Sequence, residues 1–291
     1  MTDNLYVAII RPLHRTGGIP MLLNHLLNRV RRRRTPHPQR PAALIISHRT
    51  NMKVAPENTI AGIESAIADC VDGVEIDVQA TADGVAVLIH DRSLRRACDD
   101  PRSIEQLTAS EAEQLQVKPP TADVSPGPVA TLAGALEAAA GRTVLVLDVK
   151  MTGIAEIIAS TIEEHGQRTE IHLQADFDEA EEYRRLLPDI PLTIGLRAKA
   201  IKELGIDALL DRCVRLGASG VSIRNRILHR CQVDRAHARG LLVKTWTVDR
   251  VPDVERVLAT GVDAVCGNYP LMIRAVREQV ERSQEAARAA A

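Results

Sequence analysis

From residue 42 onward, short apolar and β-branched runs alternate with longer stretches whose apolar positions recur at helical spacing. The runs are ALIIS (43–47), GVEIDV (73–78), VLVLDV (144–149), IHLQ (171–174), LTIGL (192–196), GVSI (220–223), LLVKTW (241–246) and VDAVCG (262–267). Between most of them lie segments such as TIAGIESAIADC (59–70) and PDVERVLAT (252–260), whose period is that of an amphipathic helix. Strand–helix repetition of this kind predicts parallel strands joined by crossover helices. Eight such strands in roughly 230 residues predict a (β/α)8 TIM barrel over residues 42–280. A doubly wound open sheet is the alternative, but it ordinarily needs fewer strands, and no G-x-G-x-x-G follows the first strand.

Three stretches depart from this rhythm. In GVEIDVQATADGVAVLIHD (73–91) two strand-like runs are joined by Asp83-Gly84, a hairpin signal. With those two residues as the turn, His90 falls opposite Asp77, and a small change of turn placement moves it toward Glu75. The polar, proline-rich piece 92–130 is too irregular for a simple crossover. It reads as an insertion after the second-strand hairpin, lying over the barrel mouth. Residues 1–41 read as a basic N-terminal extension. There IPMLLNHLLNRVRRRR (19–34) is followed by TPHPQRP, which breaks any helix. A secretory signal carries its positive charge before the apolar stretch, whereas here the arginines follow it. The segment is either a short surface helix with a solvated basic end or a peripheral contact to an anionic membrane. Residues 281–291 read as a C-terminal helical tail.

Composition narrows the class. Hydrophobic residues make up 45% of the 291 and aromatics only 2%, so the core must be Val, Leu, Ile and Ala. A net charge of −1 argues against nucleic acid as a partner. Five cysteines without a C-x-x-C pair indicate neither a disulfide framework nor a zinc ribbon. No apolar run reaches the ~18 residues of a membrane span, and the expectation is a cytoplasmic protein. Oligomeric state is not readable.

Chemistry in a TIM barrel sits at the C-terminal ends of the strands. Gathering the polar residues there yields His48 and Arg49 from strand one, Glu75 and Asp77 from strand two, and His90 from the hairpin. Asp148 and Lys150 come from strand three, and Trp246, the single tryptophan, from strand seven. Residues two apart on a strand share a face, so Glu75 and Asp77 point together, as do Asp148 and Lys150. Three carboxylates converging on one mouth repel unless a cation lies among them. Oxygen-only ligation suits one divalent cation, Mg2+ or Ca2+, with Mn2+ as a third choice. Arg49 and Lys150 then have an anion to hold, a phosphate above all. Two histidines suit acid–base catalysis of displacement at phosphorus. Trp246 either fills the barrel or forms an apolar wall for substrate. His172, on a strand, is a further candidate for the mouth.

SHR…APENTIAGIESAIADCVDGVEIDVQATADGVAVLIHD, then PVATL, LVLDVK and VKTWTVD…GVDAVCGNYP, resemble in order the signature blocks of the glycerophosphodiester phosphodiesterases, over about residues 43–275. The resemblance implies a metal-dependent phosphodiesterase on a (β/α)8 barrel. It implies Glu75, Asp77 and a strand-three carboxylate, here Asp148, as metal ligands, and His48 and His90 as the acid/base pair. It further implies Arg49 and Lys150 on the phosphate and Glu57 as support from Pro-Glu-Asn-Thr. There are departures. Thr50 stands where the family usually has Gly, adding a side chain at the phosphate approach. Asp148 replaces the usual Glu, as in the related sphingomyelinase D branch. Gly267-Asn268 replaces Thr-Asp, and LRRACDD lacks the threonine pair that ordinarily follows. The expected activity is hydrolysis of a small glycerophosphodiester-like substrate to an alcohol and a phosphomonoester. The alternatives are a lyase or transferase that leaves a cyclic phosphate, a biosynthetic enzyme on another phosphorylated small molecule, and a non-catalytic phosphoester-binding protein.

Overall fold

The structure is a computed structural model describing residues 42–289. The extension 1–41, with its basic stretch 19–34, lies outside the described residues. The strands are β1 (Leu44–Ser47), β2 (Gly73–Ala80), β3 (Ala86–Leu88), β4 (Gln116–Val117), β5 (Gly127–Pro128), β6 (Val144–Val149), β7 (Glu170–Ala175), β8 (Leu192–Leu196), β9 (Gly220–Arg224), β10 (Leu242–Trp246) and β11 (Ala264–Gly267). Eight of them, all parallel, close a barrel in the order β1-β2-β6-β7-β8-β9-β10-β11, with β11 paired back to β1. These are the eight apolar runs, and the fold is the expected (β/α)8 barrel. The register Asp77–Asp148–Gln174–Thr193–Gly220–Leu242, continued in step around β11 and β1, returns to β2 at position 69, eight residues back. That is the shear of a TIM barrel, and it stacks inward side chains in layers of four from alternate strands. One layer holds Glu75, Gln174, Ser222 and Cys266, and the layer nearer the mouth holds His48, Asp148, Gly195 and Trp246. His172 falls at the opposite end from the mouth, beside Glu170, whose carboxylate is 3.3 Å from its Nε2.

The main apolar core lies between the strands and the surrounding helices. Helix starts follow the local chemistry. Thr59 caps Ile60–Ala68 by accepting from Gly62 N at 3.1 Å, and Thr131 caps Leu132–Ala139 by accepting from Gly134 N at 3.1 Å. Among the described residues no helix is long and apolar enough to cross a membrane. The C-terminal helix runs unbroken from Pro270 to Ala289, through position 281.

β3 is antiparallel to the far end of β2 and outside the barrel. Its register corrects the sequence expectation by one step, because Val78 pairs with Leu88 and Ala80 with Ala86. The turn uses three residues, Ala82-Asp83-Gly84, closed by Thr81 N donating to Val85 O at 3.0 Å. Only Gly84 has a positive φ (79°), whereas a two-residue type I′ turn would need Asp83 there as well. Continued in step, His90 comes level with Ile76, between Glu75 and Asp77. After β3 the chain forms the short helices Arg95–Cys98 and Ala109–Glu113 and the β4–β5 ribbon. These share a separate apolar cluster with Val87 and Ile89.

Candidate active site

The centre of the mouth is built on β2. Glu75 and Asp77 project inward at 2% and 0% exposure, and Asp148 is the register partner of Asp77. One oxygen from each of the three lies within 4.8 Å of the others. Burial, then the neighbouring charges of Asp77 and Asp148, push the Glu75 carboxyl up to about 8. For Asp77 burial acts in the same direction. It is outweighed by Lys150, His90 and Arg49, which hold that carboxyl below its usual range.

Lys150 Nζ donates to Asp148 Oδ2 at 2.5 Å and stands 3.2 Å from Asp77 Oδ1. Asp77 Oδ1 is nonetheless buried without an aligned hydrogen bond. A buried carboxylate oxygen with no aligned hydrogen bond, a neighbour that resists ionising and an oxygen-only donor set fit a hard divalent cation. Glu75, Asp77 and Asp148 are the residues that could hold it.

The turn after β1 supplies the cationic edge. Arg49 N donates to Glu75 Oε2 at 2.7 Å, and Thr50 N donates to Glu75 O at 2.8 Å. The Arg49 side chain spans two acids, with Nε 3.5 Å from Asp77 Oδ2 and Nη1 donating to Glu57 Oε1 at 3.4 Å. Arg49 and Thr50 both have positive φ, 49° and 71°, a conformation that favours glycine. The Thr50 side chain does not lie at the phosphate approach. It is fully buried against Gly62, where an added Cβ would sit 2.0 Å from Thr50 Oγ1, and its hydroxyl donates to Arg49 O.

Both histidines are anchored through Nδ1. His48 Nδ1 lies 2.7 Å from Asn268 Oδ1. The Asn268 amide is oriented by Asp249, which accepts from its Nδ2 at 2.7 Å and from its backbone N at 2.8 Å. Asp249 is acceptor-only, so Asn268 turns its oxygen to His48, and His48 Nδ1 is the donor. Burial first, then Arg49, lower the His48 pKa against the opposing hydrogen bond to Asn268, favouring neutral imidazole. His90 Nδ1 lies 2.6 Å from Asp91 Oδ1 and donates to that carboxylate. Each ring therefore keeps Nε2 for other work.

Sequence reasoning missed Asn58, Asp91, Arg96, Asp249 and Asn268 as supports of the site. Asn58 is wedged under Asp77, donating to Oδ2 at 2.8 Å and accepting from Asp77 N at 3.0 Å. It was signalled by standing next to Glu57, as Asp91 was by following His90. Asp249 and Asn268 lie in the family-like blocks VKTWTVD and GVDAVCGNYP, but nothing in those blocks links them to His48. Trp246, at the end of β10, is 39% exposed.

Residues 48–272 match the family model of the glycerophosphoryl diester phosphodiesterases. The chain belongs to that family. It is accordingly an enzyme of the phosphoric diester hydrolase class. It is 27% identical over 249 residues to a glycerophosphodiester phosphodiesterase of Caldanaerobacter subterraneus, covering 81% of this chain and 98% of the relative. The fold superposes on a phosphodiesterase of Oleispira antarctica solved with its product sn-glycerol-3-phosphate, with TM-score 0.72, 24% identity and coverage of 81% and 97%. It also superposes on a glycerophosphodiester phosphodiesterase of Parabacteroides distasonis with TM-score 0.70, 21% identity and coverage of 84% and 100%.

Proposed function

We propose that the protein hydrolyses a glycerophosphodiester-like substrate to an alcohol and a phosphomonoester with the aid of one divalent cation, Mg2+ or Ca2+, held by Glu75, Asp77 and Asp148. The observation that carries this reading is the convergence of those three carboxylates within 4.8 Å at the mouth of a family barrel. Such an ion, when bound, supplies charge neutralisation to the phosphodiester and its more charged transition state. Arg49 and Lys150, which bridge carboxylates in this structure, turn toward the phosphate oxygens and hold them. Trp246 borders the site as an apolar wall. His48 and His90 accept and donate the protons through Nε2. One takes the proton of the nucleophile and the other protonates the departing alcohol oxygen.

A second reading shares the site and its proton-transfer pair but not the nucleophile. In it a hydroxyl of the substrate next to the phosphate, rather than water, is the attacking group and leaves a cyclic phosphate; Thr50 and the altered insertion motivate it. A panel of phosphodiesters offered to metal-stripped and metal-restored protein, with products followed by phosphorus NMR, tests both. A phosphomonoester formed only with metal is the expected result, and an accumulating cyclic ester selects the second reading. Full turnover after exhaustive EDTA treatment would sink the metal-assisted mechanism.

A further inference from the structure

We propose that Arg96, contributed by the insertion, is a positioning residue that joins the phosphate clamp to one of the proton-transfer groups. The proposal rests on the phosphodiesterase reading of the site. Arg96 Nη1 and Nη2 donate to Glu57 Oε2 and Oε1 at 2.8 and 2.6 Å, a two-pronged pair, while its Nε donates to Asp91 Oδ2. Glu57 is 7% exposed and its Oε1 also accepts from Arg49. The other oxygen of Asp91 accepts the hydrogen bond from His90 Nδ1. One guanidinium thus closes an unbroken chain, Arg49–Glu57–Arg96–Asp91–His90, whose ends are the two groups that must meet the phosphate from different elements.

The charges explain why a cation is needed at the centre. Without Arg96, Glu57 retains Arg49 as its remaining cationic partner and draws it off the phosphate. Asp91 then holds His90 with nothing fixing its second oxygen. A planar fork satisfies both acids at once, which a lysine cannot do. The rest of the helix Arg95–Cys98 packs through Ala97 into the insertion's own apolar cluster, so the position of the fork is set by the insertion rather than by the barrel.

Arg96→Met in the full chain is expected to stay folded, because the side chain is half exposed. It should lower kcat/KM for an alkyl phosphodiester about 100-fold, the size of a misplacement of roughly 1 Å. A cleft of about 450 Å3 lined by Lys53, Arg96, Lys118 and Tyr269 gives a small ion access to the vacated place. Added guanidinium should therefore restore at least about tenfold of the loss, which repair of mere packing would not produce. Arg96→Lys should be impaired and not restored, and it keeps the test alive if the Met variant does not fold. The His90 Nδ1–H proton resonance should move in the Met variant, a readout that needs no turnover. If the wild-type protein cleaved no phosphodiester, the functional reading would fall while this resonance still decided the Arg96 link. Wild-type kinetics in Arg96→Met, or an unrestored loss with an unmoved His90 resonance, overturns the proposal.

Discussion

Replacing Glu75 by Gln should stabilise the metal-free protein, and by an amount that depends on pH in a defined way. Folding raises the Glu75 pKa from 4.5 to about 8. Through that window the folded chain keeps a proton that the unfolded chain has released. The penalty is therefore absent below the unfolded value, grows as pH rises through the window and is complete above the folded value. At about 1.4 kcal/mol per pKa unit the ceiling is roughly 5 kcal/mol. Movement of Lys150 and Arg49 toward the cluster, and water entering the mouth, relieve part of it, leaving about 2 kcal/mol. Gln keeps the shape, keeps an acceptor for Arg49 N and carries no charge. In EDTA, urea unfolding followed by circular dichroism should place Glu75→Gln above wild type at about pH 8.5, with the gap shrinking toward about pH 5.5. With a divalent cation at about 100 times its Kd, wild type should gain about 2.7 kcal/mol and the variant much less, reversing the order. The reasoning is refuted if the variant is no more stable than wild type at the higher pH in EDTA, or if the gap does not change with pH.

Other consequences follow from the same site. Gly62→Ala should destabilise the fold by about 1–3 kcal/mol, because the new Cβ meets Thr50 Oγ1 at 2.0 Å. Thr50→Gly should recover most of that loss in the double variant, as measured by unfolding midpoints. Gly267→Ala places a Cβ 2.4 Å from the Val248 carbonyl oxygen, so it should shift the end of β11, break the Asn268–His48 bond and reduce activity together with stability. His48→Ala and His90→Ala should each cost about 10²–10⁴-fold in rate on an alkyl phosphodiester. A p-nitrophenyl diester, whose leaving group needs no protonation, should rescue only the variant that lacks the acid. Equal loss in both variants on both substrates would contradict the division of roles.

How much of this was legible in the sequence depends on how local each cause is. The eight barrel strands announce themselves through apolar β-branched runs, because alternation along a strand and the need for crossover helices follow from covalent geometry and burial alone. The shared face of Glu75 and Asp77 is legible for the same reason, being a matter of spacing by two. The hairpin register was missed by one residue, because it turned on whether Asp83 as well as Gly84 takes a positive φ, a choice settled by ties such as Ala109 N donating to Asp83 Oδ1 at 2.9 Å. The sequence places Thr50 at the phosphate approach because adjacency to Arg49 is all that it displays. Its backbone conformation and the space beside Gly62 turn it into the helix packing instead. The supports of the histidines lie further from reach. His48 and Asn268 are 220 positions apart, and Arg96 and Glu57 are 39 apart. Those contacts exist only once β11 closes on β1 and the insertion settles on its own apolar cluster. The charge state of Glu75 is likewise no property of a glutamate in a strand, since it arises when barrel closure removes water and sets Asp77 and Asp148 within a few ångströms. Residue types and spacing could name the groups at the mouth, but their orientation, tautomers and ionisation come from long-range packing that brings distant segments into one small, dry volume.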